Sequence, residues 1–206
     1  HTYLFRLVLL FESRIIRVSS KDNESSLSPI DSLGIPVLRV QPIFSPSKLV
    51  IRIKDKDLDV IESKNLDVLI RGGHHIIRGR ILELCPFGIL GMHHGDNHKY
   101  KGMPSAFWEV YFKEKKTGFI IQKLREELDE GNVFYKGFID TRPTVHENTY
   151  FLHERARIEL PKFLNELSKT GSLPSEILPS KEKASLTTTP NLRELFKYIY
   201  KIHIRR

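Results

Sequence analysis

The stretch GILGMHHGDNHKYKGMPSAFWEV runs from an apolar segment into a turn that holds His93, His94, Asp96, Asn97 and His98. Side chains of these types can ligate a metal ion, carry protons at the edge of a sheet, or solvate a surface loop. Adjacent histidines at a strand end point to opposite faces, so His93 and His94 do not easily share one ion. Neither an HExxH helix nor a CxxC pair supports them, even with His74 and His75 nearby, and no metal is expected. Taken singly, His94 and His98 read as polar loop residues. Proton transfer remains, because imidazole titrates near neutrality.

Such a turn acts only if it stands beyond the carboxyl end of a strand, where ligands sit in open α/β sheets. The segments around it fit that requirement. TYLFRLVLLFESRIIRV reads as a helix lying on a sheet, and SSKDNESSLSP as a loop. GIPVLRVQPI reads as a strand, DKDLDVIESKN as a helix and LDVLIRGG as a strand. IIRGRILEL is a predicted helix stopped by Pro86, and FGILGMHH is the next strand. This alternation predicts βαβ units in a three-layer, Rossmann-like α/β fold with a mostly parallel sheet.

PSAFWEVYF is predicted as a helix opening at Pro104. TGFIIQKL and NVFYKGFIDT then form an antiparallel extension across a short acidic loop. HENTYFLHERARIELPKFLNELSKTG is a long helix bent at Pro161 and ending at Gly171. LPSEILPSKEKASLTTTP reads as a polar linker, and NLRELFKYIYKIHI as a terminal helix. The expected organisation is an α/β domain over residues 1–170, then a linker and C-terminal helix over 171–206. The sequence starts with His1 rather than Met. No strand is legible ahead of Thr2, so the first strand of such a sheet is expected to be missing upstream.

With 206 residues, 40% hydrophobic and 28% charged, the chain has the balance of a globular protein. YLFRLVLLF is broken by Arg6 and followed by Glu12 and Arg14, so no membrane partner or signal peptide is expected. The single cysteine, Cys85, cannot make an internal disulfide, which points to a reducing cytoplasm. Thirty-three basic and 25 acidic residues give a net charge of +8. The charge is spread out and lacks a nucleic-acid-binding motif, so a nucleic acid is not expected. An anionic small molecule such as a nucleotide fits better. The oligomeric state is not legible, and a dimer is compatible with the sequence. Phe107 and Trp108 read as core, and Arg71 and Arg78 either as solvated charge or as contacts for an anion.

GMHHGDNHKYKGMP followed by TGFIIQKLREELDEGNVF resembles the formyltransferase family that uses 10-formyltetrahydrofolate. That family carries an Asn-x-His-Pro-Ser-Leu-Leu-Pro-x-x-x-Gly segment at a strand end, then a TG-type strand and a Leu-Asp-x-Gly loop. On that pattern His93 falls on the catalytic histidine, Asp129 on the catalytic aspartate, Gly102 on the closing glycine and Gly118 on the glycine of the next strand. The separation of His93 and Asp129, 36 positions (129 − 93), agrees with small single-domain members. LDVLIRGGHHII is similar to the strand and loop lining the folate pocket, which implies folate contacts at His75 and Ile77. The loop around DEG is similar to the one that meets the pterin ring, which implies contacts at Leu128 and Glu130. The resemblance covers roughly Leu66 to Asp140. It departs at Gly91, where the family's catalytic asparagine would stand, and at His94 to His98, which replace Pro-Ser-Leu-Leu-Pro. An HHGDN turn with an FWEV helix is similar to an atypical subgroup of formyltransferase-like proteins.

The resemblance implies transfer of a formyl group from 10-formyltetrahydrofolate to a primary amine through a tetrahedral oxyanion. His93, paired with Asp129, would carry protons and steady that oxyanion. With glycine at position 91, Asn97 is by type the candidate replacement donor, Asp96 the candidate to orient the amine, and Gly102 a second substrate position. No second β-barrel of the methionyl-tRNA enzyme kind is read here, and the altered turn disfavours a purine-pathway acceptor. An amino sugar attached to a nucleotide is the leading acceptor. Two alternatives differ in class: a formyltetrahydrofolate hydrolase, and a non-catalytic folate- or nucleotide-binding protein.

Overall fold

The computed structural model describes residues 2–15, 34–73, 75–96, 99–127, 131–178 and 185–204. It is an α/β fold with mixed parallel and antiparallel strand pairing and divides into two compact units. One unit comprises Val18–Ile89, and the other comprises His1–Arg17 with Leu90–Arg206.

In the Val18–Ile89 unit, strand β1 (Ile43–Phe44) runs antiparallel to β2 (Val50–Arg52). Helix α2 (Asp55–Glu62) follows, with Asp55 and Asp57 at its positive end and Leu58 buried. β3 (Leu69–Arg71) comes next, and β4 (Ile76–Ile77) pairs parallel with β2. Two expectations change here. Residues 35–42 of GIPVLRVQPI form no strand, and β1 starts only after Pro42; Pro36 and Pro42 lack the N–H that a ladder needs. IIRGRILEL is not one helix. Its first two residues are β4, Gly79 at φ 92° turns the chain, and a single 3₁₀ turn covers Arg80–Glu83. Arg80 pairs with Asp59 at 2.9 Å and with Glu62, all at the solvent-exposed surface.

In the other unit, which takes β5 (Ile89–His93) from Leu90 on, β5, β7 (Lys116–Lys123) and β8 (Asn132–Asp140) form successive antiparallel neighbours. TGFIIQKL and NVFYKGFIDT thus pair as their composition predicts. Helix α4 (Val145–Thr170) covers one face. Thr144 caps it by accepting from the Glu147 N–H, and Gly171 at φ 63° ends it. Phe119, Leu152, Ala156 and Ala106 form the core between sheet and helix, with Met92, Tyr135 and Ile139 against them. Buried Asn148 joins three elements. Its amide donates to the Ala106 carbonyl (3.0 Å) and to Thr117 Oγ1 (2.9 Å), while its oxygen accepts from the Arg142 N–H (3.0 Å).

A second core packs α1 (Thr2–Ile15), α3 (Phe107–Tyr111) and α5 (Leu192–Ile199) through Phe5, Val8, Phe107, Trp108, Tyr111, Leu195 and Tyr198. Phe107 and Trp108 are therefore core, as expected. α3 begins three residues later than Pro104, because Ala106 adopts a left-handed conformation (φ 64°) ahead of it. α5 carries a capping box between Asn191 and Glu194 and continues as a π turn over Tyr200–Ile204. The linker expectation also changes. Within it, β9 (Ser185–Thr187) pairs in parallel with β6 (Tyr100–Gly102), a contact between segments too far apart for local pattern to reveal.

Candidate active site

Residues directly opposite in an antiparallel ladder point to the same side, as do alternate residues of one strand. These rules sort the site. Met92 faces α4. His93 stands opposite Ile120, and Ile120 opposite Lys136, so the three make a row on the other face. Gly91, two residues before His93, stands opposite Gln122 on that same face. Gln122 is buried at 5% exposure, and its neighbour on β8 is Val133, just past a β-bulge.

Beyond β5 the chain folds back over this row. A Cβ on Gly95 would lie 3.2 Å from His93 Nε2, so the turn closes on the imidazole. The Asp96 carbonyl accepts from the N–H groups of Lys99 and Tyr100, both at 2.8 Å. Its carboxylate pairs with Lys136 Nζ at 2.6 Å. Gly118 makes room for this, because a Cβ there would sit 2.9 Å from Asp96 Cβ. The two charged side chains are 13% and 22% exposed, so neither is well hydrated once its partner is removed. Asp96→Asn and Lys136→Met are each expected to cost roughly 2–3 kcal/mol, with the double variant costing less than the sum. Urea denaturation of the four proteins measures this, and strict additivity would contradict the pairing.

His94 goes the other way. Its ring stacks on His153 of α4, centroids 3.9 Å apart and planes at 27°. It is thus half-buried packing rather than an open loop residue. Burial, then the neighbouring His153 and His93, push its pKa down to about 4. His153 is also lowered, chiefly by burial under the His94 ring. Both rings are therefore neutral in the fold but gain protons on unfolding at mildly acidic pH. Stability is complete above about pH 6.5 and falls as pH drops toward 4, on the order of 2 kcal/mol for His94. His94→Phe, which keeps an aromatic ring on His153, should flatten the urea midpoint across that window. An unchanged slope would reject this account.

The downstream arm of the turn is fixed by Glu114, which accepts from Tyr100 Oη and pairs with Lys99 Nζ, each at 2.8 Å. The bond from Lys99 holds Glu114 below the ordinary carboxylate range. Beneath it, burial raises the pKa of Glu109. Gly102 has φ 109°, and a Cβ there would fall 2.2 Å from the Thr187 carbonyl oxygen, so only glycine fits.

In the Val18–Ile89 unit, His75 is exposed with its ring edge-on to Phe44 at 5.5 Å, and Ile77 is half-buried opposite Ile51. Arg71 donates to the Gly73 carbonyl at 3.1 Å. Asn97, Leu128, Asp129 and Glu130, together with His74 and His98, lie outside the described residues. Of the predicted site, the structure therefore brings His93 and Asp96 to one sheet face. Sequence reasoning missed Lys136 and Gln122. Strand alternation assigns each a face but does not reveal which strand lies beside it. Among the described residues, no group of three or more His, Cys, Asp or Glu could hold a metal ion. Nor is any described helix long and apolar enough to cross a membrane.

No protein-family profile matches the chain. It is similar to the methionyl-tRNA formyltransferase of Clostridioides difficile, 26% identical over 156 residues that cover 73% of this chain and 48% of that enzyme. The enzyme of Dictyoglomus turgidum is 26% identical over 163 residues, covering 78% and 47%. The chain thus spans about half the length of the curated relatives it matches. Its fold is like that of a sugar N-formyltransferase from a Shewanella strain, with a TM-score of 0.56 at 16% identity over 88% of this chain and 72% of that one. The sequence relatives support the formyltransferase family.

Proposed function

We propose that the protein transfers a formyl group from 10-formyltetrahydrofolate to a primary amine, as an HHGDN-turn variant of the formyltransferases. An amino sugar carried on a nucleotide is the proposed acceptor. One observation carries this reading: His93 ends β5 on the sheet face shared by the Asp96–Lys136 pair, with the turn folded over its ring. Gly91 leaves the backbone beside His93 without a side chain, as close approach of a flat formamide requires.

The amine nitrogen bonds to the formyl carbon and the carbonyl π pair moves onto oxygen. The bond from that carbon to the folate nitrogen then breaks. His93 takes the proton the amine loses and returns it to the departing nitrogen, a role worth about 10²–10⁴ in rate. In its protonated form the imidazole also faces the developing oxyanion. Asp129 is the proposed partner that orients the ring, and Asn97 a proposed donor within the turn. Lys136 cancels the charge of Asp96, which leaves that carboxylate suited to hold the incoming amine without a second net charge on the face. Gly102 is proposed at the acceptor side, with His75, Ile77, Leu128 and Glu130 at the folate. Cys85 is buried and unpaired, which fits a cytoplasmic setting.

The test incubates the full-length protein with 10-formyltetrahydrofolate and a panel of nucleotide-linked amino sugars, with product masses recorded. An N-formyl product is expected. Formate released at one rate with or without amine would replace this reading with hydrolysis.

A further inference from the structure

Helix α3 ends in an aromatic shelf that the proposed chemistry leaves unused. Phe112, the residue after α3, is 55% exposed. Its ring plane lies 10° from that of Tyr100 and 26° from that of Trp108, with centroids 6.2 and 5.7 Å away. Tyr111 meets it edge-on at 5.0 Å. The backbone fixes this end of the helix. The Phe112 N–H donates to the Trp108 carbonyl at 2.9 Å and the Glu114 N–H to the Glu109 carbonyl at 2.8 Å, on either side of left-handed Lys113 (φ 57°). Tyr100, which bonds Glu114, belongs to the downstream arm of the HHGDN turn, so the shelf adjoins that turn.

Positive charge gathers around the same rings. Lys201 Nζ stands over the Tyr111 ring, 4.9 Å from its centroid. Lys197 lies one helical turn before it on α5, and Lys113 directly follows Phe112. Burial, then the neighbouring Lys197 and Lys113, push the pKa of Lys201 down. Like charges four residues apart on a helix repel. Among the described residues, no carboxylate forms an ion pair with Lys113, Lys197 or Lys201. Packing does not call for them either, since Lys113 and Lys197 are both exposed. A flat π surface beside unneutralised ammonium groups is complementary to a base that carries phosphates.

We infer that this shelf holds the nucleoside diphosphate of the acceptor, with the base stacked on Phe112 and the phosphates among Lys113, Lys197 and Lys201. The inference rests on the formyl-transfer reading with a nucleotide-linked amine. Stacking tolerates every base and lysines act as point charges, so the shelf selects the class of ligand rather than one base. A nucleic-acid strand needs a basic track of many phosphate contacts, whereas this cluster offers three cations. The shelf stands apart from the reacting atoms, so it lowers KM without aiding the chemical step.

The test titrates uridine and guanosine diphosphates, their nucleosides and inorganic pyrophosphate into the full-length protein. It follows heat and the fluorescence of Trp108, the single tryptophan of the chain. The diphosphates are expected to bind about tenfold or more tightly than either fragment, and to quench Trp108 through the ring stacked on it. Phe112→Leu keeps an apolar surface and removes the ring, so affinity should fall about 5–150-fold and quenching should disappear. Lys113→Gln with Lys197→Gln should weaken the diphosphates about tenfold and flatten their salt dependence, with nucleoside binding unmoved. In turnover, both variants should raise KM for a nucleotide-linked amino sugar by similar factors. The KM for 10-formyltetrahydrofolate should stay within ~3-fold.

Diphosphate affinity within ~3-fold of wild type in both variants overturns the inference alone, as does a wild type that binds neither diphosphate. A tRNA acceptor stem that binds through these residues while the diphosphates do not overturns it in favour of nucleic acid. Diphosphate binding that both variants weaken, with no N-formyl product from any amine, upholds the nucleotide site and overturns the formyl-transfer reading.

Discussion

His93→Ala is expected to lower formyl transfer by about 10²–10⁴-fold, because it removes the group proposed to carry the proton from amine to folate nitrogen. The effect on folding should be small. His93 is the half-buried last residue of β5, on the face away from the core of Leu152 and Ala156. A substitution at such a position costs under ~1 kcal/mol. Loss of turnover with an unchanged unfolding midpoint therefore assigns the residue to chemistry. The pH profile gives a second check. The limb of kcat/KM that this imidazole governs should vanish in the variant. If the variant binds 5-formyltetrahydrofolate and turns over like wild type, His93 is not the proton carrier and the non-catalytic alternative gains ground.

The largest stability effect is expected far from that row, at Glu12. This carboxylate of α1 is fully buried and accepts from the His146 N–H at 2.9 Å, from Tyr198 Oη, and from His203 Nε2 at 3.0 Å. Tyr198 Oη in turn accepts from the Val145 N–H at 3.0 Å. Together these bonds satisfy two of the N–H groups that open α4 and place a negative charge at its positive end. Glu12→Ala strands all three donors in the interior and should cost about 3–5 kcal/mol in urea denaturation. Glu12→Gln keeps the volume and one acceptor, so it should cost less. A loss under ~1 kcal/mol for Glu12→Ala would show that the cluster is not what ties these helices together.

How far the sequence reveals all this depends on the range of each interaction. Amphipathic periodicity suffices for α1, α2 and α4, and the Thr144 and Gly171 ends of α4 are local chemistry. Alternation and β-branched content suffice for β7 and β8, and the opposite orientation of His93 and His94 follows from strand geometry alone. The failures occur where a distant segment or a glycine decides. β9 exists because Tyr100–Gly102 offers it an edge, and nothing in ASLTTTP announces that. The helical pattern of IIRGRILEL is cut by Gly79, whose backbone conformation overrides side-chain periodicity. Lys136 and Gln122 joined the site only when the ladder register set them beside Asp96 and Gly91.

The Glu12 cluster also dictates when this unit can take shape. Its three bonds join residues separated by 134, 186 and 191 positions. A ribosome delivers the opening helix long before the phenol and imidazole that secure it, with the whole of Val18–Ile89 emerging in between. Closure over such separations is slow. During elongation the Thr2–Ile15 helix therefore keeps an unmet carboxylate and an uncovered apolar side until residues 146–203 have emerged.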